Sequence, residues 1–167
     1  MVLKKLTEFL DSHAIRYTVL RHSQAFTAQE IATAAHIPGK ELAKTVIVKV
    51  DGRMMMAVVP ASDMVDFKSL KKVLGATRVE LAGEDEFRSA FGECEIGAMP
   101  PFGNLYNIDV LVADDLAEDT EIAFNAGTHR ELIKMAYNDF EQLVQPRVAG
   151  IGIRKKVHDE EGWNHAG

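Results

Sequence analysis

One cysteine, Cys94, stands among 167 residues. A lone thiol excludes an internal disulfide framework and a multi-cysteine zinc site, and Cys94 is expected to be a small buried or half-buried side chain. Long apolar runs are missing too: none approaches the roughly 20 residues that cross a bilayer. The opening MVLKKLTEFLDSH carries acids and a helical period where a signal peptide would be unbroken apolar chain. No membrane partner is expected, and the cytoplasm is the expected location. The chain has no Gly-x-Ser-x-Gly elbow, no His-Glu-x-x-His pair and no paired metal-ligand spacing, which argues against a serine hydrolase or a zinc protease. Its glycines fit neither the dinucleotide fingerprint nor the P-loop, so neither a cofactor nor a metal is expected. The histidines, His13, His22, His36, His129, His158 and His165, are scattered and read as surface or capping residues. Internal repeats and dividing linkers are also absent. A single domain over residues 1–146 is expected, followed by a loosely held tail, 147–167, able to dock a strand or serve a partner.

Positive charge is scarce overall, with a net charge of −6, but it is unevenly placed. Residues 1–72 hold 11 Lys/Arg against 7 Asp/Glu, whereas residues 73–146 hold 4 against 15. The two parts either form differently charged faces or interleave in the fold, and any nucleic acid would be held by a local basic patch with strong salt dependence.

The organising stretch is LAKTVIVKVDGRMMMAVVPA, residues 42–61. Two apolar runs meet at Asp51-Gly52, a dipeptide suited to a tight hairpin because both positions accept positive φ. Period-2 counting puts Lys44 on the same face as Val46, Val48 and Val50. Either the strand has not begun at Lys44 and its ammonium snorkels to water, or Lys44 stands at the mouth of a pocket for an anionic or carbonyl-bearing ligand. The methionines Met54 to Met56 read as core filling.

Around this hairpin the signals are ordinary. Leu3, Leu6 and Leu10 mark an amphipathic helix over 2–14, and Arg16 to Leu20 a short strand. Thr27 and Glu30 have capping-box spacing for a helix ending near His36. Asp66 to Leu74 is a helix stopped by Gly75, Arg78 to Leu81 a strand, and Glu84 to Phe91 a helix begun by acids. Alternation over Tyr106 to Val112 predicts a strand with one dry face. A strand follows over Glu121–Asn125, then a further strand, with a helix as the alternative, over Arg130–Ala136, then a helix capped by Asn138 or Asp139 and running to Val144. Two irregular stretches remain. Residues 97–103, GAMPPFG, combine rigid prolines with permissive glycines and suit either a tight connection or backbone N–H groups brought close to a ligand. Residues 126–129, AGTH, form a turn at a strand end.

Lys44, the glycine-proline loop and the Gly-Thr-His turn could form one pocket orienting a small carbonyl compound. With a basic patch, that pocket would suit hydrolysis of an activated ester on a nucleic acid. The order HSQAFTAQEIA, AKTVIVKVDG, MAVVPA, IGAMPPFG, NAGTHRELI resembles the YbaK-type aminoacyl-tRNA deacylases, free-standing relatives of the editing domain inserted in bacterial prolyl-tRNA synthetases, across about residues 2–146. The resemblance implies an α/β (α+β) fold: a mixed, strongly curved, barrel-like sheet surrounded by helices. It also implies metal-free hydrolysis of mischarged tRNA, with aminoacyl-tRNA as partner and an aminoacyl-tRNA synthetase as a candidate second partner.

Carried over by position, Lys44 matches the family's lysine that holds the substrate end, and Gly97 with Ala98, Met99, Pro100 and Gly103 the loop presenting backbone donors to the aminoacyl group. Gly127 and Thr128 match the opposite wall. Prolyl-synthetase insertions carry a histidine where this chain has Asn125, so His129 is not that residue, though it sits among the expected substrate-binding positions. Alanine-selective relatives tend to have Asn after the lysine; here it is Thr45, as in the cysteine-type branch. The implied mechanism is attack of an ordered water helped by the ribose hydroxyl of the terminal adenosine, with Lys44 and Gly97 as the catalytic positions. Two readings from other classes stand beside it: a non-catalytic amino-acid or nucleotide binding module on the same fold, and a hydrolase of small acyl esters.

Overall fold

Asp51 and Gly52 both take positive φ, 50° and 84°, so the flanking apolar runs fold back as the hairpin the sequence predicts. In the computed structural model, which describes residues 3–22 and 28–154, these runs are β2 (Leu42–Val50) and β3 (Arg53–Pro60), paired antiparallel from Ala43↔Pro60 to Val50↔Arg53. The Asp51 carboxylate also accepts the backbone N–H groups of Thr77 and Arg78 at 3.0 and 2.8 Å. The hairpin turn thus holds the start of β5 (Val79–Leu81) beside it.

The sheet grows outward from this pair. On one side of β2 come β7 (Glu121–Asn125), β8 (Glu131–Ala136) and β1 (Tyr17–Arg21); beyond β3 lie β6 (Val110–Ala113) and β9 (Arg147–Ala149). β7 on β2, β6 on β3 and β9 on β6 are parallel, the other pairings antiparallel, so the sheet is mixed. Among the described residues β1 and β9 do not pair with each other, so the sheet is not hydrogen-bonded into a closed barrel. A separate ribbon joins β4 (Asp63–Val65) to β10 (Gly152–Arg154). With α1 (Lys4–Ser12), α2 (Ala28–Ala35), α3 (Phe67–Leu74), α4 (Glu84–Ala90) and α5 (Tyr137–Val144), the class is the mixed α and β arrangement expected.

The helix limits follow from local chemistry. Asp66 caps α3 by accepting from the N–H groups of Lys68 and Ser69, and Gly75 ends it at φ +62°. Glu86 reaches back to the Gly83 N–H at 2.9 Å at the head of α4. In α1, Leu6 and Leu10 are fully buried. The aromatic heart of the core is Phe102, whose ring centroid lies 5.4 Å from that of Phe124 on β7 and 5.3 Å from that of Phe140 on α5. A buried phenylalanine contributes roughly 1.5–3 kcal/mol, so the irregular loop before Phe102 is anchored at its end.

Four expectations differ from the structure or fall outside it. The strand predicted over 106–112 is confined to Val110–Ala113, and all of its residues are buried. Before it, Gly103–Leu105 form a 3-10 turn, Ile108 N–H returns to Gly103 O at 2.9 Å, and Asn107 takes φ +57°, which no strand accommodates. α5 begins at Tyr137 with Ala136 as its flanking residue, ahead of Asn138 and Asp139. The segment after Pro146, read as a loose tail able to dock a strand, does dock: it forms β9 and β10 through Arg154 and is not loosely held there. The Thr27 cap lies outside the described residues.

Candidate active site

β2 pairs with β3 along its length, but its other edge changes partner. The parallel register with β7 stops at Ala43↔Phe124, and the antiparallel register with β5 starts at Val48↔Leu81. Glu41 and Ile47 offer their carbonyls to Ala123 and Ala82 on this edge. Alternation therefore points the N–H and C=O of Thr45 into the gap between β7 and β5. There a cavity of about 570 Å³ opens, lined by residues 42–47 of β2, by Leu81 and Ala82, by Glu84 and Phe87 of α4, by Ile96, Gly97 and Met99, and by Asn125 at the end of β7. Its walls are mostly apolar. Among the described residues Lys44 is its one cation and Glu84 its one anion, and Glu84 is ion-paired to Arg88 at 2.8 Å.

Lys44 lies inside β2, opposite Val59. The alternative that the strand begins after it is therefore overturned. Its side chain is half-buried, and Nζ donates to the Asp63 carbonyl at 2.9 Å.

The 95–99 turn forms the facing wall. Ala98 N–H closes on Glu95 O at 2.9 Å, Gly127 N–H donates to Ala98 O at 2.9 Å, and Glu95 N–H donates to Gly127 O at 2.8 Å. The Glu95 carboxylate accepts the His129 N–H at 2.8 Å. The His129 ring, 6 % exposed, lies 2.7 Å from the Ile96 carbonyl through Nε2; a carbonyl only accepts, so Nε2 carries the proton. The turn is thus laced to the 126–129 segment at four points. Gly97 takes φ +83°. The N–H groups of Gly97 and Met99 donate to nothing among the described residues, and both residues line the cavity. Asn125 Oδ1 is buried and accepts nothing among them.

Of the residues singled out in the sequence, Lys44, Thr45, Gly97, Met99 and Asn125 meet at this cavity. Ala98, Pro100, Gly127, Thr128 and His129 stand behind its lining, and Thr128 Oγ1 is turned to Glu131 at 3.5 Å. Gly103 is farther off, buried where a Cβ would strike the Ile108 carbonyl oxygen. Leu81, Ala82, Glu84, Phe87 and Ile96 were not foreseen: only the pairing of β5 with β2 carries 81–87 to the pocket, and Ile96 sits next to a loop read from Gly97 onward. A larger hollow of about 770 Å³ near the hairpin turn, lined by Asp51, Arg53 and Asn107 among others, contains none of the expected residues. Burial pushes the Cys94 thiol pKa up, with Tyr106 Oη 3.7 Å from its sulfur, so the one cysteine is no activated nucleophile. Among the described residues no three His, Cys, Asp or Glu side chains gather as a metal site.

The description of the aminoacyl-tRNA editing domain matches residues 22–143. The chain belongs to the aminoacyl-tRNA editing domain family. Two curated relatives match most of its length. The multifunctional Ser/Thr-tRNA deacylase ProXp-y of Escherichia coli K12 is 26 % identical over 154 residues, 89 % of this chain and 91 % of that protein. The prolyl-tRNA editing protein ProX of Acetoanaerobium sticklandii is 25 % identical over 142 residues, 81 % and 86 % of the two chains. A crystal structure of a protein proposed as a trans-editing enzyme for prolyl tRNA synthetase superposes with a TM-score of 0.76 over 92 % of this chain and 96 % of that one; at 20 % identity this likeness speaks for the fold. The resemblance read from the motifs, and the class of ester hydrolase acting on aminoacyl-tRNA that it implied, are borne out. Among the described residues no helix is long and apolar enough to cross a membrane.

Proposed function

We propose that this chain is a trans-acting editing deacylase that cleaves the ester of mischarged tRNA(Pro), or of a related tRNA, in the cavity beside β2. The observation that carries the reading is the convergence, on one mostly apolar cavity, of Lys44, of Gly97 and Met99, whose N–H groups donate to nothing among the described residues, and of Asn125. An aminoacyl ester offers the complementary set, with a carbonyl oxygen that becomes an oxyanion, an α-ammonium and a terminal ribose.

Water attacks the ester carbonyl carbon, and the developing oxyanion takes the Gly97 and Met99 N–H groups. The C–O bond to the ribose then breaks, and the departing oxygen takes up the proton the water gives up. The products are the free amino acid and tRNA with a free terminal hydroxyl. The neighbouring ribose hydroxyl orients the water, Lys44 holds the polar end of the nucleotide, and Asn125 lines the wall beside the aminoacyl group. Positioning and oxyanion stabilisation each supply several kcal/mol, enough for an ester already activated, without a protein nucleophile. The edge of β2 at Thr45 contributes a backbone donor and acceptor where a sheet neighbour is missing. Ala98, Pro100, Gly127, Thr128 and His129 support this wall. An aminoacyl-tRNA synthetase that supplies the mischarged tRNA is the natural partner of such a chain, working in the cytoplasm.

The test is single-turnover deacylation of tRNA(Pro) charged in turn with alanine, cysteine, serine and threonine, by wild type and Lys44→Ala. Wild type is expected to cleave at least one species well above its spontaneous rate, and Lys44→Ala to lose roughly 100-fold or more, the scale of a lost transition-state donor. Equal rates for the two proteins would remove Lys44 from the mechanism, and no cleavage above background would remove the reading.

A further inference from the structure

A lysine side chain is a flexible four-carbon stem with no fixed place of its own. Lys44 is held by the carbonyl oxygen of Asp63, 2.9 Å from Nζ. Asp63 opens β4, whose pairing partner is β10, with Gly152↔Val65, Ile153↔Met64 and Arg154↔Asp63 in register. The place of the carbonyl that holds Lys44 therefore depends on a strand near the far end of the chain.

The Asp63 side chain closes this contact. It is 4 % exposed and shares a hollow with Asp115, whose carboxyl faces it. Asp115 is itself fixed, accepting the Leu116 N–H at 3.0 Å at the head of a 3-10 turn. Gly152 packs against the pair so closely that a Cβ there would lie 2.8 Å from Asp63 Oδ2. The remaining charges facing Asp63 are Arg154 and Lys44, and Lys40, Glu118 and Asp119 line the same hollow.

We propose that Asp63 is a positioning residue for Lys44, and that the β4·β10 clasp, shut by the Asp63–Asp115 carboxyl pair against Gly152, sets where the ammonium stands in the pocket. This rests on the deacylase reading for its effect on rate, though not for its effect on Lys44 itself. Burial, followed by Asp115, pushes the Asp63 pKa up to about 7. Protonation of Asp63 relieves its opposition to Asp115 and shuts the clasp; its ionisation at higher pH loosens it.

The experiment uses the full chain, the variants Gly152→Ala, Asp63→Asn and Lys44→Ala, and two readouts. One is kcat and KM on alanyl-, cysteinyl-, seryl- and threonyl-tRNA(Pro) from pH 6 to 8.5. The other is the ¹⁵Nζ signal of Lys44 in ¹⁵N-lysine-labelled protein, identified by its loss in Lys44→Ala. Gly152→Ala is expected to shift that signal and to lower kcat at least tenfold with KM within twofold. Asp63→Asn keeps a neutral side chain facing Asp115 at every pH, so its kcat divided by that of wild type is expected to rise as pH goes from 6 to 8.5. An unshifted Lys44 signal in folded Gly152→Ala overturns the proposal, as does a pH-independent ratio for Asp63→Asn; the second decides if Gly152→Ala does not fold. Full activity of Lys44→Ala would instead sink the deacylase reading, while the Lys44 signal would still report on the clasp.

Discussion

Gly97 and Gly103 bracket one loop, and a methyl group added to each meets a different obstacle. At Gly97 the nearest atom to an added Cβ is His129 Cε1, 3.6 Å away, which is ordinary contact. The cost is φ +83°, a left-handed conformation that charges an L-residue about 1–2 kcal/mol. At Gly103 the backbone is unremarkable, but the Cβ would collide with the Ile108 carbonyl oxygen and lie 2.6 Å from Val110 Cγ2. Gly97→Ala is expected to keep the fold with a small drop in Tm and to lose at least tenfold in deacylation rate, because the strained turn re-aims its N–H. Gly103→Ala is expected to cost about 1–3 kcal/mol or more of stability, as overpacking does. Thermal melts and single-turnover rates on the same two proteins check this, and a Gly97→Ala variant with wild-type rate would take the backbone donor away from Gly97. The composition of the loop pointed to a backbone device; which of its glycines faces the cavity depends on contacts with residues 108, 110 and 129 that no local pattern encodes.

At the scale of elements, what could be read in advance was whatever rests on local chemistry. α3 is an example: Asp66 accepts two N–H groups of the first turn and the Ser69 hydroxyl, and Gly75 closes the other end. Asp66→Ala is expected to cost about 1 kcal/mol in urea unfolding, the usual loss for a helix cap. The Ser69 hydroxyl, outweighing burial, holds the Asp66 carboxyl below the usual carboxylate range. A depressed folded pKa gives stability that is present above the unfolded value and lost as pH falls through the folded one, so the gap between variant and wild type should narrow toward pH 3. A gap that stays constant to that pH would assign the loss to packing rather than to the cap. The β2–β3 hairpin was legible for the same reason, through Asp51-Gly52. β6 was not, because the alternation of Tyr106, Ile108, Val110 and Val112 continues through a turn whose left-handed Asn107 breaks the strand. Nor was the gap on the free edge of β2, since it exists only because β7 ends at Asn125 while β5 arrives from elsewhere in the chain.

For the whole molecule, the carboxylates around β4 and the second 3-10 turn decide how stability follows pH. Burial raises the Asp63 pKa to about 7, and burial together with Glu41 raises that of Asp119 to about 6. In the unfolded chain both titrate near 3.8. Between those values the folded protein binds more protons than the unfolded one, so stability falls as pH rises from about 4 to about 7 and levels off beyond. Asp66 and Glu86 act oppositely: Glu86, held down by the Gly83 N–H and by Lys49, loses its contribution as pH falls below the carboxylate range. The net charge of −6 at pH 7 adds self-repulsion that protonation relieves, in the same direction as Asp63 and Asp119. Tm is therefore expected to peak on the acidic side, near pH 5, and to decline toward pH 8. Calorimetry in buffers of equal ionic strength at pH 4, 5, 6, 7 and 8 measures this directly. The decline should be shallower in Asp63→Asn, which removes one of the two uptake sites, and a wild-type Tm that rises from pH 5 to pH 8 would mean that these carboxyls are solvated and ionised in the fold. The working range of the pocket and the stability of the chain then pull apart, because hydrolysis of an ester by water gains from rising pH while the clasp behind Lys44 is held shut by a proton.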